Sequence, residues 1–229
     1  MHAAATDAAV LRGARARRLR GLYALTPDTT DTDALVARVA AALEGGATAI
    51  QYRSKHPDAA LRATQARALA RVLAVRGGAY IVNDDAVLAR EVGADGVHLG
   101  EDDGSIAAAR EILGPDRLVG VSCYDDFDRA QAAVADGADY VAFGSFFPSG
   151  TKPKARRADV ALLTRAQSLG VPVVAIGGIT SDNAESLFAA GADAVAVIQD
   201  VFGHDDVEAV RNAADAMARA FHRATRANG

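Results

Sequence analysis

The sequence predicts an α/β protein built as one (β/α)8 TIM barrel, and three observations lead there. From residue 21 onward, short runs rich in β-branched residues alternate with longer amphipathic stretches. The short runs are continuously apolar rather than alternating, as parallel strands covered by helices are. One junction also recurs four times, in Gly45-Gly46-Ala47-Thr48-Ala49-Ile50, Gly93-Ala94-Asp95-Gly96-Val97, Gly137-Ala138-Asp139-Tyr140-Val141 and Gly191-Ala192-Asp193-Ala194-Val195. In each, glycine ends a helix in the left-handed conformation, a small residue follows, and the chain turns into a strand. Eight strands, each followed by a helix, in about 200 residues make a compact barrel. A doubly wound open sheet is the second reading, because periodicity alone does not prove closure.

The elements follow in order. Residues 1–20 form an N-terminal arm rich in alanine and arginine, with Arg12, Arg15, Arg17, Arg18 and Arg20 against a single acid, Asp7. A secretory signal needs an apolar core behind its charges, and none is present. An organellar transit peptide shares the composition, but alanine and arginine dominate the rest of the chain too. A short helix covering one end of the barrel, or a frayed extension, is therefore expected. The barrel domain takes residues 21–229 without an internal boundary. Strands are expected at 21–26, 47–53, 79–82, 96–99, 118–122, 140–144, 171–176 and 194–198. Helices are expected at 33–43, 58–75, 105–113, 127–136, 160–169, 182–190 and 206–226. Capping residues precede several of them: Asp31 or Thr32, Asp126, and Ser181 or Asp182.

Composition narrows the function classes. Half of the 229 residues are hydrophobic, enough for a sizeable core, so general disorder is excluded. A formal charge of −4 without a long basic run argues against nucleic acid or a membrane surface as partner. Charges or glycines interrupt every apolar run well short of the roughly 20 residues that a membrane span needs. Cys123 stands alone and cannot form an internal disulfide, which points to a reducing cytoplasm. The oligomeric state is left open, a homo-oligomer included.

In a parallel barrel, functional side chains project from the carboxyl ends of the strands. The second strand finishes Gln51-Tyr52-Arg53-Ser54-Lys55. Alternation places Gln51, Arg53 and Lys55 on one face and Tyr52 and Ser54 on the other. A solvated strand end would account for Lys55. Gln51 and Arg53 would sit too deep for that and need a partner, which an anion such as pyrophosphate supplies. The chain has three lysines, Lys55, Lys152 and Lys154, against 22 arginines. Two lysines on strand-end loops suggest that the compact ammonium is itself required.

The third and fourth strands end in acid, at Asn83-Asp84-Asp85 and at His98-Leu99-Gly100-Glu101-Asp102-Asp103. Carboxylates on neighbouring strands, beside lysines and a polyanion, suggest Mg2+. Helix capping by Asp84 and Asp103 is the alternative. His98 is read as a structural histidine, since no nucleophile adjoins it. Gly177-Gly178 after the seventh strand and Ile198-Gln199 after the eighth stand where barrels commonly bind phosphate. Pro148-Ser149-Gly150-Thr151-Lys152 after the sixth strand is a second donor-rich loop, and Ser122 after the fifth adds a hydroxyl. Two anion sites with a metal between them point to two small phosphorylated substrates.

The pattern resembles the thiamine phosphate synthase family. The motifs occur in family order: Gln51-x-Arg53-x-Lys55, Asn83-Asp84-Asp85, His98-Leu99-Gly100-x-x-Asp103, Gly120-Val121-Ser122, Thr151-Lys152 and Gly177-Gly178-Ile179. The resemblance covers nearly all of residues 21–205. It implies condensation of 4-amino-2-methyl-5-hydroxymethylpyrimidine pyrophosphate with a thiazole phosphate, releasing pyrophosphate through a dissociative pyrimidine carbocation. It implies Mg2+ on Asp84 and Asp103. The pyrimidine pyrophosphate would lie on Gln51, Arg53, Lys55, Asn83, Ser122 and Lys152, with Arg53, Lys55, Ser122 and Lys152 carrying the catalytic contacts. The thiazole phosphate would lie on Ser149, Gly150, Thr151, Gly178, Ile198 and Gln199. Ser149 stands where threonine is usual, Gln199 replaces a usual serine, and Cys123-Tyr124 replaces a small residue and histidine. One alternative is a thiazole tautomerase-like or regulatory relative on the same barrel, which usually lacks the Gln-x-Arg-x-Lys set. Another is a sugar-phosphate isomerase or phosphate sensor, which would not need a carboxylate pair facing three cations.

Overall fold

Eight parallel strands close on themselves in sequence order in a computed structural model that describes residues 2–148 and 157–227. They are β1 (Gly21–Leu25), β2 (Ala47–Tyr52), β3 (Ala79–Asn83), β4 (Gly96–Leu99), β5 (Leu118–Tyr124), β6 (Tyr140–Gly144), β7 (Val173–Ile176) and β8 (Ala194–Val197). β8 pairs with β1, Ala194 against Gly21 through Val197 against Ala24, so the closed reading holds over the open sheet. The helices are α1 (His2–Ala16), α2 (Thr32–Glu44), α3 (Ala59–Arg76), α4 (Ala86–Glu91), α5 (Ile106–Leu113), α6 (Phe127–Ala135), α7 (Ala161–Ala166), α8 (Ala184–Ala189), α9 (Gln199–Phe202) and α10 (Val207–Ala227).

Strand alternation makes two cores. Tyr23, Leu25, Ala49, Ile81, Leu118, Tyr140, Val174 and Ala196 fill the barrel interior. Leu22, Ala24, Ile50, Tyr52, Val82 and Val141 face outward and pack on Leu35, Leu69, Leu163, Leu187 and Met217 of the helices. Each leucine fully buried in that layer contributes roughly 2 kcal/mol of transfer free energy.

The recurring junction has a physical cause. Gly93, Gly137 and Gly191 hold φ of +69°, +98° and +109°, and two residues later comes an aspartate. Each aspartate makes a reciprocal pair with the first or second residue of the preceding strand. Its own N–H donates to Tyr80, Val119 or Val173 carbonyl at 2.7–2.8 Å. Its carboxylate accepts the N–H of that same residue: Asp95 from Tyr80 at 2.9 Å, Asp139 from Val119 at 2.8 Å, Asp193 from Val173 at 3.0 Å. In the fourth repeat Thr48 takes the aspartate's place, its hydroxyl donating to the Arg20 and Leu22 carbonyls.

The same aspartates receive the N-terminal arm. Ala16 and Leu19 pack under the interior core, so α1 and the turn after it close the end of the barrel where the strands begin. Arg12 pairs with Asp139 at 3.0 Å, Arg15 with Asp95 at 3.3 Å and Asp116 at 3.1 Å, and Arg20 with Asp193 at 3.7 Å.

Some expectations change. α4 and α9 are short helices absent from the sequence reading, six and four residues long, within which no apolar period repeats. β7 begins two residues late, after Pro172, whose missing N–H cannot enter the ladder. Asp31 and Asp126 cap α2 and α6 as expected. Neither Ser181 nor Asp182 caps α8: Asn183 stands at that position, and its side chain turns back to accept the Thr180 N–H at 2.9 Å. Among the described residues no helix is long and apolar enough to cross a membrane.

Candidate active site

At the carboxyl ends of the strands lies a cavity of about 280 Å³. Gln51, Arg53, Asn83, Ser122, Gly178, Ile198 and Gln199 all line it, so candidates for both substrates open onto one space. Asp84 and Asp103 instead line an adjoining cavity of about 480 Å³ against α4 and α5, and Asn83 borders both. Ser149, Gly150, Thr151 and Lys152, and with them Lys154, lie outside the described residues.

Gln51 is buried in the barrel, while Tyr52 points the other way and donates its hydroxyl to Gln65 of α3. The expected alternation therefore holds. The partners of these groups, however, are supplied by the protein. Gln51 Nε2 donates to the Tyr23 hydroxyl at 2.8 Å, and the Arg53 guanidinium lies 3.3 Å from Asp28. Asp28 also accepts the Lys55 N–H at 2.6 Å. Thr26 clips the strand end, accepting the Arg53 N–H and donating to the Arg53 carbonyl.

Lys55 Nζ meets Asp84 Oδ2 at 3.0 Å across two loops. Asp84 stands in left-handed backbone at φ +64°, its N–H donating to the His98 carbonyl at 2.8 Å. Such strain in a non-glycine residue persists where surrounding structure fixes it, commonly at functional sites. Burial pushes the Asp84 carboxyl up from its ordinary range, contact with the Asp103 carboxylate adds to this, and Lys55 offsets it in part. Asp103 in turn accepts the Gly100 N–H at 2.8 Å.

Neither acid caps a helix. Asp85 caps α4, accepting the Leu88 N–H, and Ser105 caps α5, accepting the Ala108 N–H. The capping alternative for Asp84 and Asp103 is thereby removed. Two apposed carboxylates beside one ammonium form a hard-oxygen donor set that suits a divalent cation. Among the described residues no three His, Cys, Asp or Glu side chains gather into a cage. Mg2+ fits such a two-carboxylate set, since it keeps waters and takes substrate phosphate oxygens.

His98 is buried and bridges Ser122 Oγ from Nε2 at 2.9 Å and the Tyr140 hydroxyl from Nδ1 at 3.1 Å. It holds the side chain of Ser122 rather than a loop. Burial lowers its pKa to about 4, so it is neutral at pH 7. Gly177 and Gly178 carry φ of +106° and +65°. A Cβ on Gly178 would lie 2.3 Å from the Pro148 carbonyl oxygen, and one on Gly177 would lie 2.2 Å from Ser145 Oγ. Their left-handed backbone and the close approach of the loop after β6 both require glycine here. Ile198 precedes α9, and Gln199 at its start is exposed.

Tyr23, Asp28 and Tyr140 escaped the sequence reading, which singled out Tyr124 only as a departure from the family pattern. Tyr23 and Tyr140 occupy inward positions of otherwise apolar strands, and that polar tip at an interior position was their signal. Tyr124, at φ +55°, lines the cavity with Arg129 stacked over its ring. Asp28 sits in the loop after β1 with no motif around it.

The chain matches the family model described as thiamine monophosphate synthase over residues 22–201. It is 56% identical over 202 residues to the thiamine-phosphate synthase of Thiobacillus denitrificans, covering 88% of this chain and 94% of that one. It is 52% identical over 204 residues to that of Methylobacillus flagellatus, covering 89% and 94%. A solved structure, the thiamine phosphate pyrophosphorylase of Pyrococcus furiosus, superposes with a TM-score of 0.80 at 35% identity, covering 91% and 98%. On the match over residues 22–201 and on these identities, the chain belongs to the thiamine monophosphate synthase family.

Proposed function

We propose that the chain joins 4-amino-2-methyl-5-hydroxymethylpyrimidine pyrophosphate to a thiazole phosphate, giving thiamine phosphate and pyrophosphate. The observation that carries this reading is the single cavity onto which Gln51, Arg53, Asn83 and Ser122 open from one side and Gly178, Ile198 and Gln199 from the other. Two substrates held in one space react with each other rather than with a protein nucleophile, and none is needed. Arg53 and Lys55, with Lys152, bind the pyrophosphate and stabilise its growing charge as the C–O bond breaks. Asp28 and Asp84 hold the first two cations in place before substrate arrives.

Asp84 and Asp103 would hold Mg2+, which when bound neutralises pyrophosphate charge and makes it a better leaving group. Gln51 and Ser122 orient the aminopyrimidine, whose amino group donates electron density to the cationic carbon. The thiazole nitrogen, positioned by its phosphate on the loops after β6, β7 and β8, then captures that carbon. The apolar walls at Leu25, Val174, Ile176 and Ala196 exclude water from the cation.

The test supplies both phosphorylated halves with Mg2+ and follows thiamine phosphate and pyrophosphate together. One of each per turnover supports the reading. Isomerisation of a thiazole without condensation would favour the tautomerase-like alternative, against which the Gln51, Arg53 and Lys55 set speaks.

A further inference from the structure

We infer that Tyr23, Tyr140 and His98 are positioning residues that fix which way Gln51 and Ser122 present their hydrogen-bonding groups to the substrate. The inference rests on the proposed reading that Gln51 and Ser122 face the pyrimidine. Its basis is a continuous buried chain across the barrel interior. Gln51 Nε2 donates to Tyr23 Oη at 2.8 Å, the Tyr23 and Tyr140 hydroxyls lie 3.0 Å apart, Tyr140 lies 3.1 Å from His98 Nδ1, and His98 Nε2 lies 2.9 Å from Ser122 Oγ. Both ends of the chain open onto the cavity at the barrel mouth.

Proton counting orients every link. Burial raises the Tyr23 and Tyr140 hydroxyl pKa values, so each phenol carries one proton, and the buried His98 ring has a hydroxyl at each of its two nitrogens. Tyr23 accepts from Gln51, so its own proton must go to Tyr140. Among the described residues neither phenol has another hydrogen-bond partner, and the opposite choice would orphan a buried O–H. Tyr140 then donates to Nδ1 of His98, which leaves the proton on Nε2, and Nε2–H donates to Ser122 Oγ. Gln51 therefore turns its Oε1, an acceptor, away from the chain, and Ser122 keeps its own proton free to donate. An aminopyrimidine edge, with N–H donors beside a ring-nitrogen acceptor, complements that pair. A pyrimidinone edge, with an oxo group in place of the amino group, does not.

The rings themselves are held by packing. Tyr140 lies flat over Gly120, where a Cβ would come within 2.0 Å of its ring, and stacks against His98 at 5.5 Å between centroids. Tyr→Phe substitutions thus remove the hydroxyls while keeping the fill. Without the Tyr140 hydroxyl, the Tyr23 proton has only Gln51 Oε1 to meet, and the amide turns over.

The test has two arms. Nitrogen-15 NMR of imidazole-labelled protein should show His98 neutral with its proton on Nε2 in the wild type and in Tyr23→Phe; a proton on Nδ1 would mean the opposite wiring and overturn the inference. Calorimetry with the pyrimidine pyrophosphate and its 4-oxo analogue, without the thiazole partner, should show wild-type preference for the amino form of on the order of a hundredfold. Tyr140→Phe and Tyr23→Phe should each lower that preference at least about tenfold while unfolding at near wild-type denaturant. Unchanged preference in both variants would reduce the chain to a structural role and overturn the inference. If the wild type binds neither pyrimidine, the proposed function fails, and the tautomer measurement still decides the wiring.

Discussion

Lys55 Nζ and Asp84 Oδ2 meet at 3.0 Å from different loops, and Asp84 reaches that contact from left-handed backbone at φ +64°. The pair sets a cation against the acid that lines the adjoining cavity before any substrate is there. Asp103 crowds the same carboxylate, so the arrangement is costly to the folded protein and useful to a bound cation.

Asp84→Asn and Asp103→Asn should each lower turnover at limiting Mg2+ on the order of a hundredfold, the scale of a lost electrostatic contact. Neither should unfold the protein, since Asp85 and Ser105 cap the helices and asparagine tolerates left-handed backbone. Steady-state rates against Mg2+ concentration check this. Wild-type dependence in both variants would remove the metal assignment.

Asp84 also sets a pH dependence in the metal-free protein. A carboxyl with a raised pKa in the folded state binds more protons there than in the unfolded chain. Stability therefore falls as pH rises from the ordinary carboxylate value through the raised one, and the loss is complete above it. Asp84→Asn should be more stable than wild type at pH 7, with the gain narrowing as pH falls through the raised value toward the ordinary carboxylate one. Urea unfolding without metal, at pH 7 and at a pH below the ordinary carboxylate value, reads it.

Asp139 is the hub at the opposite end of the barrel. It is 11% exposed, accepts the Val119 N–H and pairs with Arg12 and Arg110. Asp139→Ala leaves a strand N–H and two arginines short of partners and should cost about 2–3 kcal/mol. Arg12→Ala removes a partly exposed pair and an exposed hydrogen bond to the Pro115 carbonyl and should cost less, about 1 kcal/mol. Urea denaturation of the two variants distinguishes a keystone from a surface contact.

The loop after β7 makes a different case. Reading Gly177-Gly178 as a phosphate cradle leads one to expect that Gly178→Val raises the thiazole KM much more than the pyrimidine's. The structure places a Cβ there 2.3 Å from the Pro148 carbonyl oxygen at φ +65°. Gly178→Ala should therefore lower the thermal midpoint and raise both KM values. A selective effect on the thiazole partner at unchanged stability would restore the simpler cradle.

How much was legible in the sequence follows from what each residue's signal depends on. The barrel was legible because the Gly-Ala-Asp junctions repeat a local backbone need, a left-handed turn followed by a side chain that ties two strands. Gln51 and Arg53 were legible because strand alternation fixes their direction, and Asn83 through the motif it shares with the family. Asp28 was not, because its pairing with Arg53 depends on two loops meeting at a closed barrel mouth. Tyr23 and Tyr140 were hidden for a similar reason, their hydroxyls meeting 117 residues apart. The arm's arginines were visible, but their aspartate partners could be named only once the strands were arranged in a ring.

The loop after β6 carries a proposal that rests on sequence. Lys152→Ala should lower kcat about a hundredfold, since its ammonium would act on charge that grows in the transition state. Lys154→Ala should be mild. Kinetics with each substrate varied separate the two, and a crippled Lys154→Ala beside a normal Lys152→Ala would invert the assignment.

The most direct measurement mixes the purified chain with the aminopyrimidine pyrophosphate, the thiazole phosphate and Mg2+, and quantifies thiamine phosphate and pyrophosphate over time. The account predicts equal amounts of both products, with neither formed when one substrate is omitted. Pyrophosphate release without thiamine phosphate, or no turnover of a folded protein, would contradict it.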